Sequence, residues 1–154
     1  MSKEIPLEPM TENIQLINQL FEAAKSEDWE LVDTKIVPDL KKIPNANGLV
    51  DTLLDKVNDK DANIRDAVAT GLIALNITDD NLLSKVIDQM IFMATNDESM
   101  FPAGRAAVFL DSLRTREDFK VKIDETLTKF AGRVDELGWR DELVENIPDL
   151  ESVL

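Results

Sequence analysis

Residues 49–75 read LVDTLLDKVNDKDANIRDAVATGLIAL, and this stretch decides the fold. Leu49, Val50, Leu53, Leu54 and Val57 recur at three- and four-residue spacing, which lays one apolar stripe along a helix. Asn58-Asp59-Lys60-Asp61 interrupts the stripe with residues that favour turns and helix caps. A second helix is expected from Ala62 or Asn63 to Leu75. It is apolar on nearly all sides, with Ala69 and Ile73 opposite Ile64, Leu72 and Leu75. Helices of that kind are sandwiched between neighbours. Gly71 would let a neighbouring helix approach closely.

The flanking chain continues in the same way. Residues 1–10 hold Pro6 and Pro9 without periodicity and read as an extended N-terminal segment. Thr11 offers an N-cap, and Ile14, Ile17, Leu20, Phe21 and Ala24 place a stripe on a helix over about 12–25. Trp29, Val32, Ile36 and Leu40 mark a second helix, which Pro38 is expected to kink. Pro44-Asn-Ala-Asn-Gly48 is a turn. Asp79-Asp80-Asn81 opens a helix running to Ala94, and Asn96-Asp97-Glu98-Ser99 closes it. Pro102 suits the first turn of the next helix, which runs to Leu113. A further helix covers roughly 117–131. A weaker one carries Val134, Leu137, Trp139, Leu143 and Val144 across Gly138, and Pro148 stops it. No segment alternates with period two, so no sheet is expected. The organisation is read as one helical domain over 11–147, with 148–154 as a C-terminal tail.

The helices come in pairs that recur. Asn58-Asp59 is answered by Asn96-Asp97, 38 residues later, and Arg65-Asp-Ala-Val-Ala by Arg105-Ala-Ala-Val-Phe, 40 residues later. Two-helix units repeating at about 40 residues build helical solenoids, because one pair cannot bury both of its apolar faces alone. Residues 49–75 resemble the HEAT-repeat family, whose units have an apolar first helix, a turn Asp, and an Ile-Arg or Val-Arg pair opening an Ala-rich helix that ends in Leu. In residues 82–113 the resemblance is looser: Phe101-Pro102-Ala103-Gly104 replaces the usual link, and two extra residues separate Asp97 from Arg105. The resemblance implies an all-α fold, an α-α superhelix forming a short HEAT-like solenoid of about four helix pairs. It makes Asp59, Arg65, Asp97 and Arg105 structural residues of the repeat. It also implies a scaffold or adaptor role, with the second helices lining a groove.

Composition narrows the chemistry. There is no Cys and no His, which removes disulfides, thiolate nucleophiles and the commonest general base and metal ligand. The formal net charge of −14 opposes contact with nucleic-acid phosphates and anionic membrane surfaces. The densest basic stretch, Arg114, Arg116, Lys120 and Lys122, is interleaved with Glu117, Asp118 and Asp124. No apolar run is long enough for a signal core or a membrane span. A cytoplasmic location is therefore expected, with no cofactor, no metal and no nucleic-acid partner.

Asp51, Asp55 and Asp59, four apart, would share one helical face. They read as a solvated face paired with Lys56 and Lys60 rather than as a cation site. Asp59-x-Asp61-x-Asn63 lacks the Gly and terminal Glu of a calcium loop, and no phosphate-loop motif is present. Arg65 and Arg105 are expected to pair with a turn Asp or to cap carbonyls; the other reading is a basic ladder for an acidic ligand. Phe92, Met93, Phe101 and Trp139 are the candidate partner-binding residues. Exposed Met and aromatic side chains make adaptable contact surfaces, although burial between repeats explains them equally. The function expected is a non-catalytic protein-binding scaffold or adaptor whose partner presents a basic or amphipathic surface. The alternative is an acidic inhibitor or immunity-type protein that covers the nucleic-acid site of a basic partner. An enzyme is a third reading, since HEAT-like folds include DNA glycosylases, but those have basic, aromatic-lined grooves.

Overall fold

The computed structural model describes the backbone of residues 7–154 and the side chains from Thr11 onward. The described residues are helical throughout their regular structure, with no strand among them. Two compact units divide the chain, Met1–Leu83 and Ser84–Leu154.

In the first unit α1 spans Leu7–Lys25. Helix therefore begins inside the segment expected to be extended, while residues 1–6 lie outside the described residues. Pro9 falls in the first turn, where its missing N–H has no helical partner to lose. Asp28 caps α2 (Trp29–Leu31) by accepting the Leu31 N–H. The chain then widens into a π-helical turn, Val32–Ile36, and returns to α-helix in α3, Val37–Lys41. The irregularity expected at Pro38 takes this form. Pro38 cannot donate, and the Val37 N–H bonds five residues back to the Val32 carbonyl. Val32, Ile36 and Leu40 still face one core.

Asn47–Leu49 forms a short 3-10 turn leading into α4, Val50–Leu54. Expected to reach Val57, the helix stops at Leu54. Beyond it, Lys56 and Val57 bond three residues back to the Leu53 and Leu54 carbonyls. Asp61 caps α5 (Ala62–Ala74), which is buried nearly all round and packs against α1, α3 and α4. A Cβ on Gly71 would lie 3.0 Å from methyl groups of both Leu20 and Leu53. Glycine is what lets α1 and α4 close onto α5 there. Two turns are latched by asparagines: the Asn47 carboxamide bonds the Thr78 N–H and hydroxyl, both at 2.9 Å, and Asn76 Nδ2 donates to the Pro44 carbonyl.

The second unit takes up most of α6 (Asp80–Asn96), followed by α7 (Met100–Asp111), α8 (Lys120–Leu137) and α9 (Arg140–Asn146). Val86, Ile87, Met90, Ala106, Leu110, Ile123, Phe130, Val134 and Leu143 fill its core. Fully burying each large aliphatic or aromatic side chain contributes roughly 1.5–3 kcal/mol. Val134 and Leu137 belong to α8, not to a separate last helix. What ends α8 is Gly138, in the left-handed region at φ 71°. The segment expected to be a tail packs: Pro148–Ser152 is a 3-10 turn that buries Leu150 against α7. A Cβ on Gly104 would lie 2.9 Å from Leu143 and 3.1 Å from Leu150, so this glycine admits α9 and the C-terminal turn.

Candidate protein-binding surface

The residues expected to mark the repeat sit at two turns of matching construction. Asp59 Oδ1 accepts the Asp61 N–H at 2.9 Å, and Asp97 Oδ1 accepts the Ser99 N–H at 2.9 Å. Asp61 and Ser99 are the N-caps of α5 and α7. Arg65 reaches back over its turn, and its Nη1 donates to the carbonyls of Asp59 at 2.9 Å and Lys60 at 3.2 Å. Arg105 does not occupy the corresponding place. Counted from the cap it is the sixth residue and Arg65 the fourth, which sets the two about 200° apart around their helices.

Asp51 and Asp55 share a face, the Asp55 N–H bonding the Asp51 carbonyl, but Asp59 leaves it because the chain beyond Asp55 turns with three-residue bonds. Among the described residues no group of three or more acidic side chains is placed to hold a metal ion. A small cavity of about 170 Å³ lies between Phe21, Glu22 and Lys25 of α1 and the turn carrying Lys56, Asp59 and Asp61. Its wall mixes both signs of charge.

The four candidate partner-binding residues do not form one cluster. Met93 is core, and Phe101 is half-buried. Trp139 is half-buried beneath Arg133, whose guanidinium lies 4.9 Å from the ring centroid. The Arg133 Nη1 is buried without a hydrogen bond among the described residues, so the ring face is a main stabilising contact for that charge. Phe92 alone stands out in solvent, 61% exposed on α6. The sequence reading missed Val121, 71% exposed near the start of α8. A signal was available: Val121 lies two residues before buried Ile123, hence on the opposite side of the Ile123–Leu127–Phe130 stripe. Asp88 of α6 and Lys122 of α8 pair at 3.1 Å.

Every base of the stretch 114–122 is engaged in an ion pair. Arg114 holds Asp124 at 3.1 Å and Asp111 at 3.4 Å, Arg116 meets Asp118 at 3.8 Å, and Lys120 meets Asp124 at 3.3 Å. The bond to Asp111 chiefly raises the Arg114 pKa, against slight desolvation and with help from Asp124. For Asp124, desolvation pulls upward but the Lys120 and Arg114 bonds outweigh it, so its carboxyl sits below the ordinary value of 3.8.

The carboxylates of the C-terminal stretch are arranged differently. Asp141, Glu142, Glu145, Asp149 and Glu151 are all exposed, and residues 141–154 contain no Lys or Arg. An open cavity of about 390 Å³ is lined there by Arg140, Asp141, Val144, Glu145 and Glu151. Arg140 is turned toward α8, where its Nε and Nη2 donate to Asp135 Oδ1 at 3.0 and 2.8 Å. The wall is thus an apolar patch at Val144 with three carboxylates around it, the neighbouring base being already paired. Among the described residues no helix is long and apolar enough to cross a membrane. No family model, curated protein or solved structure matches the chain.

Proposed function

We propose that this chain is a non-catalytic binding protein, a short HEAT-like solenoid, that docks a protein of basic surface against α9 and the turn after it. The observation that carries the reading is the wall just described, where three exposed carboxylates, Asp141, Glu145 and Glu151, line an open cavity beside Val144 and the one base there, Arg140, is already held by Asp135. A Lys or Arg of a partner suits it: the aliphatic stem lies along Val144 and the charged head enters among Asp141, Glu145 and Glu151. Carboxylates of one sign steer such a partner in and set its register. The HEAT-like reading is supported by the shared turn, an Asp that accepts the N–H of the following helix cap at both Asp59 and Asp97. A scaffold role comes from that likeness of fold, which is an argument by analogy.

The test is affinity capture with the full chain and with the triple variant Asp141→Asn, Glu145→Gln, Glu151→Gln, at about 0.15 M salt. The reading expects proteins with basic surfaces that the parent retains and the variant loses. Identical captured sets would overturn it. The same carboxylates also favour a second reading, an acidic inhibitor that covers a nucleic-acid site. Competition separates the two: an inhibitor and DNA or RNA exclude one another from the captured partner, whereas an adaptor leaves nucleic-acid binding intact.

A further inference from the structure

We infer that the Asn47–Gly48 peptide is a self-modification site that the fold holds shut: the asparagine deamidates when its turn opens, and the product cannot rebuild the contacts that closed the turn. The chain has ten asparagines, and Asn47 alone precedes a glycine. Ile, Leu, Gln, Ala or Asp follows each of the others. A residue without Cβ leaves its amide nitrogen least hindered as a nucleophile toward the preceding carboxamide. Gly48 is exposed and Asn47 half-buried, so hydroxide and water reach this peptide. The Gly48 nitrogen, deprotonated by base, forms a bond to Asn47 Cγ. The Cγ–Nδ2 bond breaks, and ammonia leaves with the proton that the glycine gave up. Water then opens the five-membered imide at either carbonyl, its hydroxyl adding to carbon and its hydrogen returning to nitrogen. The product is an aspartyl or an isoaspartyl residue, and no other reactant is needed.

Structure sets when this happens. Asn47 Oδ1 accepts the Thr78 N–H at 2.9 Å and the Asp79 N–H at 3.3 Å, and Asn47 Nδ2 donates to Thr78 Oγ1 at 2.9 Å. The carboxamide is thus tied on both of its polar atoms. Asn47–Leu49 is a 3-10 turn, whose ψ of about −20° to −30° does not bring the Gly48 nitrogen onto Cγ. Two more bonds close the same pair of turns: the Ala46 N–H donates to the Asn76 carbonyl at 3.2 Å, and Asn76 Nδ2 to the Pro44 carbonyl at 2.6 Å. Ring closure therefore waits for the turns to part, and its rate follows the population of the open form. The reaction is not undone on reclosing. A carboxylate at position 47 has no proton to donate to Thr78 Oγ1, and it lies next to the like charge of Asp79. An isoaspartyl residue also lengthens the main chain by one carbon, just before Leu49 and Val50, which are fully buried. Each opening that ends in reaction leaves the first unit with a weaker turn and one more negative charge.

The full chain is incubated at mildly alkaline pH, native and in denaturing urea, and peptide mass spectrometry locates the gain of one dalton. The inference expects that gain at position 47 before any other asparagine, about tenfold or more slower in the native chain than in urea, because the open form is a minority. Thr78→Ala removes the hydroxyl acceptor and should raise the native rate about fivefold, the population factor for one neutral hydrogen bond. Gly48→Ala, at a position without positive φ, should suppress the reaction in both solvents and leave the circular dichroism unchanged. Chain deamidated in urea, refolded and separated by its extra charge should melt below the parent. A gain appearing first at another asparagine overturns the inference. So does a native rate equal to that in urea, a folded Thr78→Ala chain that reacts no faster than the parent, or a deamidated fraction that melts with the parent. Should Thr78→Ala fail to fold, the native-to-urea ratio and the melting of the deamidated parent decide the matter.

Discussion

At position 65 a guanidinium reaches back across the turn it follows and binds two main-chain carbonyls, those of Asp59 and Lys60. The bond to the Asp59 carbonyl is part-buried, and a charged hydrogen bond of that kind contributes roughly 1.5–3 kcal/mol, while the exposed one to Lys60 adds little. Arg65→Ala should lower the unfolding free energy by about 2 kcal/mol in urea denaturation, and Arg65→Lys should recover only part of it, because an ammonium lacks the planar fork. Asp59 and Arg65 were legible as a structural pair in the sequence. Which atoms Arg65 would meet was not, since the Asp59 carbonyl and carboxylate lie within reach of the same side chain. The likeness of Arg105 to Arg65 was visible too, but two extra residues inside a helix turn a side chain to another face. Asp124 gives a pH prediction. Its folded pKa lies below 3.8, so its contribution is present above that value and is lost as pH falls through the folded one. Asp124→Asn should therefore flatten the fall of Tm between about pH 5 and about pH 2.5.

Two helices of this chain carry interior glycines whose surroundings differ sharply. Gly104 faces Leu143 and Leu150, whereas a Cβ on Gly132 would meet nothing within 4 Å. Gly132→Ala in the middle of α8 should stabilise the protein by about 0.5–1 kcal/mol, the difference in helix propensity. Gly104→Ala should destabilise it by about 1–3 kcal/mol, as overpacking does. Thermal unfolding of the two variants side by side checks both signs. The close approach at Gly71 was readable from a small residue within an apolar helix. The end of α8 was not read correctly. A stripe through Ile123, Leu127, Phe130 and Val134 keeps burying side chains past Gly132, and that burial outweighs the roughly 1 kcal/mol a helical glycine costs. The N-terminal start and the C-terminal turn were missed for a similar reason. Short segments with Pro look irregular by periodicity, yet Pro9 fits a first turn and Leu150 anchors its turn by burial.

Across the molecule, 31 acidic residues face 17 basic ones. Such a balance opposes compactness by self-repulsion. Tm should therefore rise when NaCl is increased to about 0.5 M, a range in which screening is nearly complete. Fold class followed from the sequence because 3.6-residue periodicity is strong and period two is absent. The candidate surface was only half legible: Phe92 was named among the candidate contact residues, but the segregation of charge depends on which acids have a base beside them. Lys120 and Arg114 neutralise Asp124, while nothing in residues 141–154 neutralises Glu145 or Glu151. That contrast is the basis of the functional reading, and a titration tests it most directly. An isotope-labelled full chain is titrated with a lysine-rich peptide while its amide resonances are followed. The account predicts saturable shifts concentrated at residues 140–151, with Val144 and Glu145 among them, and their loss in Asp141→Asn, Glu145→Gln, Glu151→Gln. Shifts spread evenly over all the acidic helices, or absent at 140–151, would contradict it.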